Sequence, residues 1–150
     1  MKLLDIVIPT TVAKAGMTMG EVFEECVKRN VPGIPFCDEK GRVTGRISIR
    51  HAFKLSAAPG YLVKAAHLLG DDIWHLSTSK MEVKSLLDMP VESFILENFA
   101  NVSAASPVVK ALSIMEKYNT GYVFLIDEDV YEGVVTRMGI ARLMLENREP

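Results

Sequence analysis

Two short stretches carry the side chains best suited to hold a ligand: "GRISIRH", residues 45–51, and "GVVTRMG", residues 133–139. Both run Gly, two residues, a hydroxyl residue, two more residues, and then one position at the start of a helix. A hydroxyl at a strand-to-helix junction stands beside free backbone N–H groups and the positive end of the helix dipole, which suits phosphate. If the first stretch stays extended, Arg46, Ser48 and Arg50 share one side; the second places Val134, Thr136 and Met138 there. The first is thus the more hospitable to an anion. A blander reading stays open at this point. Ser48 and Thr136 serve equally well as helix caps, and Arg46 and Arg50 as solvated charges.

Other chemistries find little support. His51, His67 and His75 are the only histidines, and no Cys/His spacing matches a zinc site, so no metal is expected. There is no nucleophile elbow, phosphate-binding loop or convincing carboxylate pair, which points away from an enzyme. Trp74 and His75 in "DDIWHL" read as packing residues, Asp71 and Asp72 as turn residues, and the eight methionines as core and seam fillers. A net charge of −2 argues against nucleic acid as the partner. No apolar run approaches the ~20 residues of a membrane span, and "MKLLDIVIPT" lacks the form of a signal peptide. Cys26 and Cys37 lie in apolar-patterned segments and read as reduced, buried thiols, hence a cytoplasmic setting.

The elements that must position the two junctions form a repeat. Residues 21–39 align with 110–128 at an offset of 89, and after the hairpin the offset is 88, pairing Gly45 with Gly133 and Ser48 with Thr136. Each copy opens with an amphipathic helix. In the first, Thr18 and Glu21 form a capping box before Met19, Val22, Phe23, Cys26 and Val27. In the second, Ser106 is the expected cap, Pro107 the first helical residue, and Val108, Ala111, Leu112 and Met115 the stripe. Short strands "GIPFC" and "GYVFLI", turns "DEKG" and "DED", and strands "RVTGRISI" and "VYEGVVT" follow. Helices from about His51 and Gly139 close the copies. Between them, "GYLVKAAHLLG" and "KMEVKSLLDMP" read as short helices, with Ser77 and Thr78 supplying turn and cap chemistry. One unit of about 50 residues cannot bury both faces of its sheet, whereas two together can.

This arrangement resembles the CBS domain, and the pair resembles a stand-alone tandem CBS (Bateman) regulatory module. The resemblance implies an α+β fold of α/β type: two β-α-β-β-α repeats packed about a pseudo-twofold axis, with a short helical insertion. The copies would span 1–56 and 91–150, with a helical connector at 57–90. It also implies clefts that take adenine nucleotides, with the hydroxyl on phosphate, an Asp three residues later on the ribose, and strand backbone on the adenine edge. Carried onto this chain, the implied ligand-binding residues are Arg46, Ser48, Arg50, His51, Gly33 and Ile34, and Thr136, Arg137, Gly121 and Tyr122. The aspartates are missing: His51 and Gly139 stand in their places. Neutral His offers one acceptor and the Gly side chain none, so neither cleft carries the carboxylate of the usual ribose contact. The expectation is a module that binds a small anionic metabolite such as AMP, ADP or ATP, has no resident cofactor, and forms a homodimer reporting to an unidentified regulated protein. The dimer is expected through the stripe Ile140, Leu143, Met144 and Ala141. The alternative is a nucleotide-independent interaction module of the same fold.

Overall fold

The computed structural model describes residues 1–56, 66–68 and 80–148. Trp74, His75, Asp71, Asp72, Ser77 and Thr78 lie outside the described residues, and of "GYLVKAAHLLG" only the short 3-10 helix Ala66–Leu68 falls within them. In the first copy α1 (Met19–Arg29) precedes the antiparallel hairpin β1 (Gly33–Cys37) and β2 (Val43–Ser48), and α2 (Ile49–Ser56) follows. Helix α3 (Lys80–Asp88) lies in the connector. The second copy comprises β3 (Asn101–Val102), α4 (Val108–Lys117), β4 (Tyr122–Asp127), β5 (Val130–Thr136) and α5 (Arg137–Glu146). The strands form one two-stranded sheet and one three-stranded sheet of order β3-β4-β5, an α+β fold.

Helix α1 begins as its sequence dictates. Thr18 Oγ1 accepts from the Glu21 N–H and the Glu21 carboxylate accepts from the Thr18 N–H, each at 3.3 Å. It ends at Asn30 in the left-handed conformation, φ 57°. Met19, Val22 and Cys26 are buried, but Val27 falls off the stripe and is 77% exposed. Burial pushes the Cys26 thiol up to about 12, so it behaves as a small apolar side chain. Helix α4 departs from expectation. Ser106 is not its cap, because its Oγ accepts from the Ser103 N–H at 3.0 Å and is turned back into the preceding loop. Pro107 takes the cap position, without a side-chain bond, and the helix starts at Val108. Helices α2 and α5 start two residues earlier than expected, directly after Ser48 and Thr136, so His51 and Gly139 fall inside the first turn.

The two copies exchange strands. Ile8, ahead of α1 in the first copy, forms an antiparallel bridge with Val134 on β5, with both N–H···O bonds at 2.9 Å. Leu96, ahead of β3 in the second copy, bridges Arg46 on β2 in the same way, at 2.8 and 2.9 Å. Ile8 and Leu96, like Arg46 and Val134, are 88 positions apart, so the exchange follows the repeat. The glycine opening each motif is explained by this crossing. A Cβ on Gly45 would lie 2.7 Å from the Leu96 carbonyl oxygen, and one on Gly133 2.5 Å from that of Ile8. Gly133 also has φ +153°, which side-chain-bearing residues rarely adopt. In each copy a segment before the first helix runs parallel to the first hairpin strand: Ala13 beside Phe36, and Val102 beside Leu125.

Packing follows the same logic. One core cluster joins the first sheet and α1 to Tyr122, Phe124 and Val134 of the second sheet. The other joins Val123, Leu125 and Val135 to Ala111, Met115, Ile140 and Leu143 of α4 and α5, with Leu3 and Ile6 from the chain start. The second sheet is therefore covered on both faces, and β4 reads as a continuous apolar run without alternation. Among the described residues no helix is long and apolar enough to cross a membrane.

Candidate functional site

Each junction is built by the same backbone contacts. The Ile49 N–H donates to the Pro32 carbonyl and the Arg137 N–H to that of Gly121, both at 3.1 Å. The hairpin register brings Gly33 opposite Ser48 and Tyr122 opposite Thr136. The hydroxyls differ in how firmly they cap. Thr136 Oγ1 accepts from the Gly139 N–H at 2.9 Å, whereas Ser48 Oγ lies 3.5 Å from the His51 N–H. The loosely held Ser48 oxygen retains more capacity for an outside partner.

Ser48 opens onto a cleft of about 270 Å³. Four basic side chains line it: Arg46 from β2, and Arg50, His51 and Lys54 from α2. Residues 50, 51 and 54 lie on one side of a helix at i, i+1 and i+4. The exchanged strand contributes Leu96, the approach to β1 contributes Pro32, and the second copy contributes Thr120, Gly121 and Tyr122. Among the described residues no carboxylate lines it. Arg46 does not reach freely into this space. Its Nη1 donates to the Tyr122 hydroxyl and its Nε to the Asn98 carbonyl, each at 2.9 Å. Burial, then the Lys54 and Arg46 charges, holds the His51 imidazole below its usual value, so it is neutral at pH 7.

The expected site residues thus sort unevenly. Arg46, Ser48, Arg50 and His51 converge on one cleft. Gly121 and Tyr122, expected at the other junction, open onto this same cleft, because the strand exchange sets the copies across it. Gly33 and Ile34 do not line it. Ile34 is fully buried, and Gly33 lies against Tyr122, where an added Cβ would come within 2.6 Å of the phenol oxygen. Thr136 lines a second cleft of about 540 Å³ with Ile6, Ile8, Arg29, Asn30 and the α5 residues Met138, Gly139, Ala141, Arg142 and Leu145. Arg137 is not among them; it is paired with Glu116 at 3.1 Å on the surface. The second cleft is the more apolar, and its two arginines have carboxylate neighbours, Glu25 at 3.6 Å from Arg29 and Glu146 at 3.8 Å from Arg142. Sequence reasoning missed Lys54, whose i+4 spacing from Arg50 was a usable signal. It also missed Leu96, Thr120 and Arg29, which arrive from distant segments and leave no local signal. Among the described residues no group of three His, Cys, Asp or Glu side chains could hold a metal ion.

Comparison with known proteins agrees with this architecture. The CBS domain family matches residues 5–58 and 91–146. The fold is similar to that of the CBS domain pair of protein MJ0100, solved with 5-methylthioadenosine and S-adenosyl-L-methionine, at 21% identity, a TM-score of 0.65, and coverage of 99% of this chain and 98% of that one. It is also similar to a CBS domain-containing protein from Bacillus anthracis str. Ames Ancestor, at 18% identity and a TM-score of 0.63, covering 99% and 95%. An A-adding tRNA nucleotidyltransferase of Aquifex aeolicus (strain VF5) is 23% identical over 150 residues, and this chain spans 15% of that protein's length. With two capped strand-to-helix junctions, the exchanged strands and the family match to both halves, the chain belongs to the CBS domain family and carries the domain in tandem.

Proposed function

We propose that this protein is a ligand-sensing regulatory module whose Ser48 cleft binds a small anionic metabolite, an adenine nucleotide. One observation carries the reading. Among the described residues, three cationic side chains, Arg46, Arg50 and Lys54, the neutral His51 and an incompletely used hydroxyl converge on a cleft with no carboxylate in its lining. A cluster of like charges raises the energy of the empty site, and a phosphate relieves it. The wall of Pro32, Leu96 and Tyr122 supplies apolar surface for a flat base. The adenosine compounds bound to the MJ0100 pair support the ligand class. His51 in place of the ribose-holding carboxylate directs recognition toward phosphate and away from the sugar.

Isothermal calorimetry with AMP, ADP, ATP and adenosine tests this. The expected result is binding of the phosphorylated compounds, tighter with each added phosphate, weakened by salt, and lowered more by Ser48→Ala or Arg50→Ala than by Thr136→Ala. No heat from any of the three nucleotides, with no thermal stabilisation, overturns it. The second reading, an interaction module without a nucleotide site, draws on the bare Gly139 position and the apolar side chains exposed on α5. It predicts that outcome.

A further inference from the structure

We infer that Tyr122 is a positioning residue for the Ser48 cleft: the phenol of the second copy holds the Arg46 guanidinium of the first at the anion site. The inference rests on the proposed anion-binding role of that cleft. Its geometry is independent of any ligand. A guanidinium has five N–H donors in a rigid plane. In Arg46 the Nε–H is taken by the Asn98 carbonyl and one Nη1–H by the Tyr122 hydroxyl, both at 2.9 Å. Two anchors, at Nε and Nη1, fix the plane and leave three N–H donors for an incoming anion. The Arg46 backbone is fixed too, through its paired bonds with Leu96. Arg46 therefore enters a complex with little side-chain entropy left to lose, unlike Arg50 and Lys54, which are exposed and unanchored by any hydrogen bond of the described residues.

Tyr122 can serve this purpose because of Gly33. The hairpin register and the repeat make these two positions equivalents, 89 apart, facing each other between the copies. Tyr122 is 5% exposed, and its hydroxyl occupies the space where a side chain on Gly33 would begin, 2.6 Å from an added Cβ. The large residue of one copy thus fills the gap left by the small residue of the other. Arg46 has no acceptor, so the phenol oxygen receives its hydrogen bond and the phenol proton is left for another partner. Gly33, expected as a ligand contact, acts through Tyr122 and Arg46 instead. The second cleft has no such device, because the position equivalent to Arg46 is Val134.

The test is calorimetry on the full chain with AMP, pyrophosphate and adenosine, comparing wild type, Tyr122→Phe, Arg46→Ala and the double variant. Tyr122→Phe keeps the ring and removes only the anchor. It is expected to weaken AMP and pyrophosphate by about tenfold, with a smaller effect on adenosine, whose base meets the ring that Phe retains. In the Arg46→Ala background the same change should have no further effect, the coupling expected when one residue acts through another. Arginine Nε–H NMR gives a second measurement without ligand: the Arg46 signal is expected to be sharp and slow to exchange in wild type, and broadened in Tyr122→Phe. Unchanged AMP affinity in Tyr122→Phe, or an equal loss with and without Arg46, overturns the positioning role and leaves the proposed function standing. A wild type that binds neither AMP nor pyrophosphate overturns both.

Discussion

Ser48 and Thr136 stand at equivalent junctions but carry different loads. The Thr136 hydroxyl makes a buried 2.9 Å bond to the Gly139 N–H, so Thr136→Ala is expected to lower the urea-unfolding free energy by about 1 kcal/mol. The 3.5 Å separation at Ser48 predicts a smaller loss for Ser48→Ala. His51 supplies a pH dependence. Its folded value lies below the unfolded one, so the unfolded chain takes up the proton first. Stability is therefore highest above the unfolded histidine value of about 6.5 and falls as pH drops below it. His51→Gln should flatten that part of the stability profile. An anion in the cleft offsets the Lys54 and Arg46 charges and raises the imidazole value, so binding takes up a proton. Sulfate, whose charge is constant between pH 5.5 and 7.5, should bind more tightly at the acid end of that range to wild type and equally across it to His51→Gln.

At the scale of elements, the crossings at Gly45 and Gly133 are the least forgiving positions. Gly133→Ala meets a carbonyl oxygen at 2.5 Å with an unfavourable φ, and Gly45→Ala meets one at 2.7 Å with no such φ. Overpacking of this kind costs roughly 1–3 kcal/mol, and the backbone strain at Gly133 adds to it. Chemical denaturation should rank Gly133→Ala as the more damaging of the two. These glycines also mark what was legible beforehand. The hairpins, the capping box at Thr18 and the helix stripes were readable because each depends on residues within a few positions. The α2 and α5 starts were placed two residues late, because a capping hydroxyl is itself the boundary and the residue after it already helical. The glycines were recognised as a motif, but their reason was hidden, since the atoms that forbid a side chain belong to Leu96 and Ile8. In the lining of the Ser48 cleft, the side built by β2 and α2 was legible and Gly121 and Tyr122 were named at the other junction, whereas Leu96 arrives through the exchange and Thr120 from the second copy.

The outer surface of the whole molecule bears apolar side chains that its own core does not cover. Ile140 and Leu143, expected in a subunit interface, are each 1% exposed and belong to the second core cluster. Of the expected stripe Met144 is open, at 46% exposure, and beside it Met138 at 78% and Leu145 at 62%. Phe53 and Leu55 on α2 are exposed as well. These side chains support the proposed homodimer through α2 and α5. Light scattering is expected to give twice the 16.6 kDa chain mass, and Met138→Glu with Leu145→Glu to return it to a monomer with unchanged helical content. A monomeric wild type at tens of micromolar would count against that assembly.

The exchange of Ile8 and Leu96 also sets a timetable for folding. On the ribosome the segment around Ile8 emerges well before its partner Val134, which is made more than 120 residues later. Until then Leu3 and Ile6 have no core to enter, since the rest of their cluster begins at Val102. The nascent first copy likewise keeps the β2 edge unpaired until Leu96 is synthesised. Closure of the fold is thus a late, long-range event joining the two ends of the sequence, of the kind that slows folding. In a crowded polysome the same edges are open to a neighbouring nascent chain, which could supply Ile8 to the wrong Val134 and yield an intertwined pair.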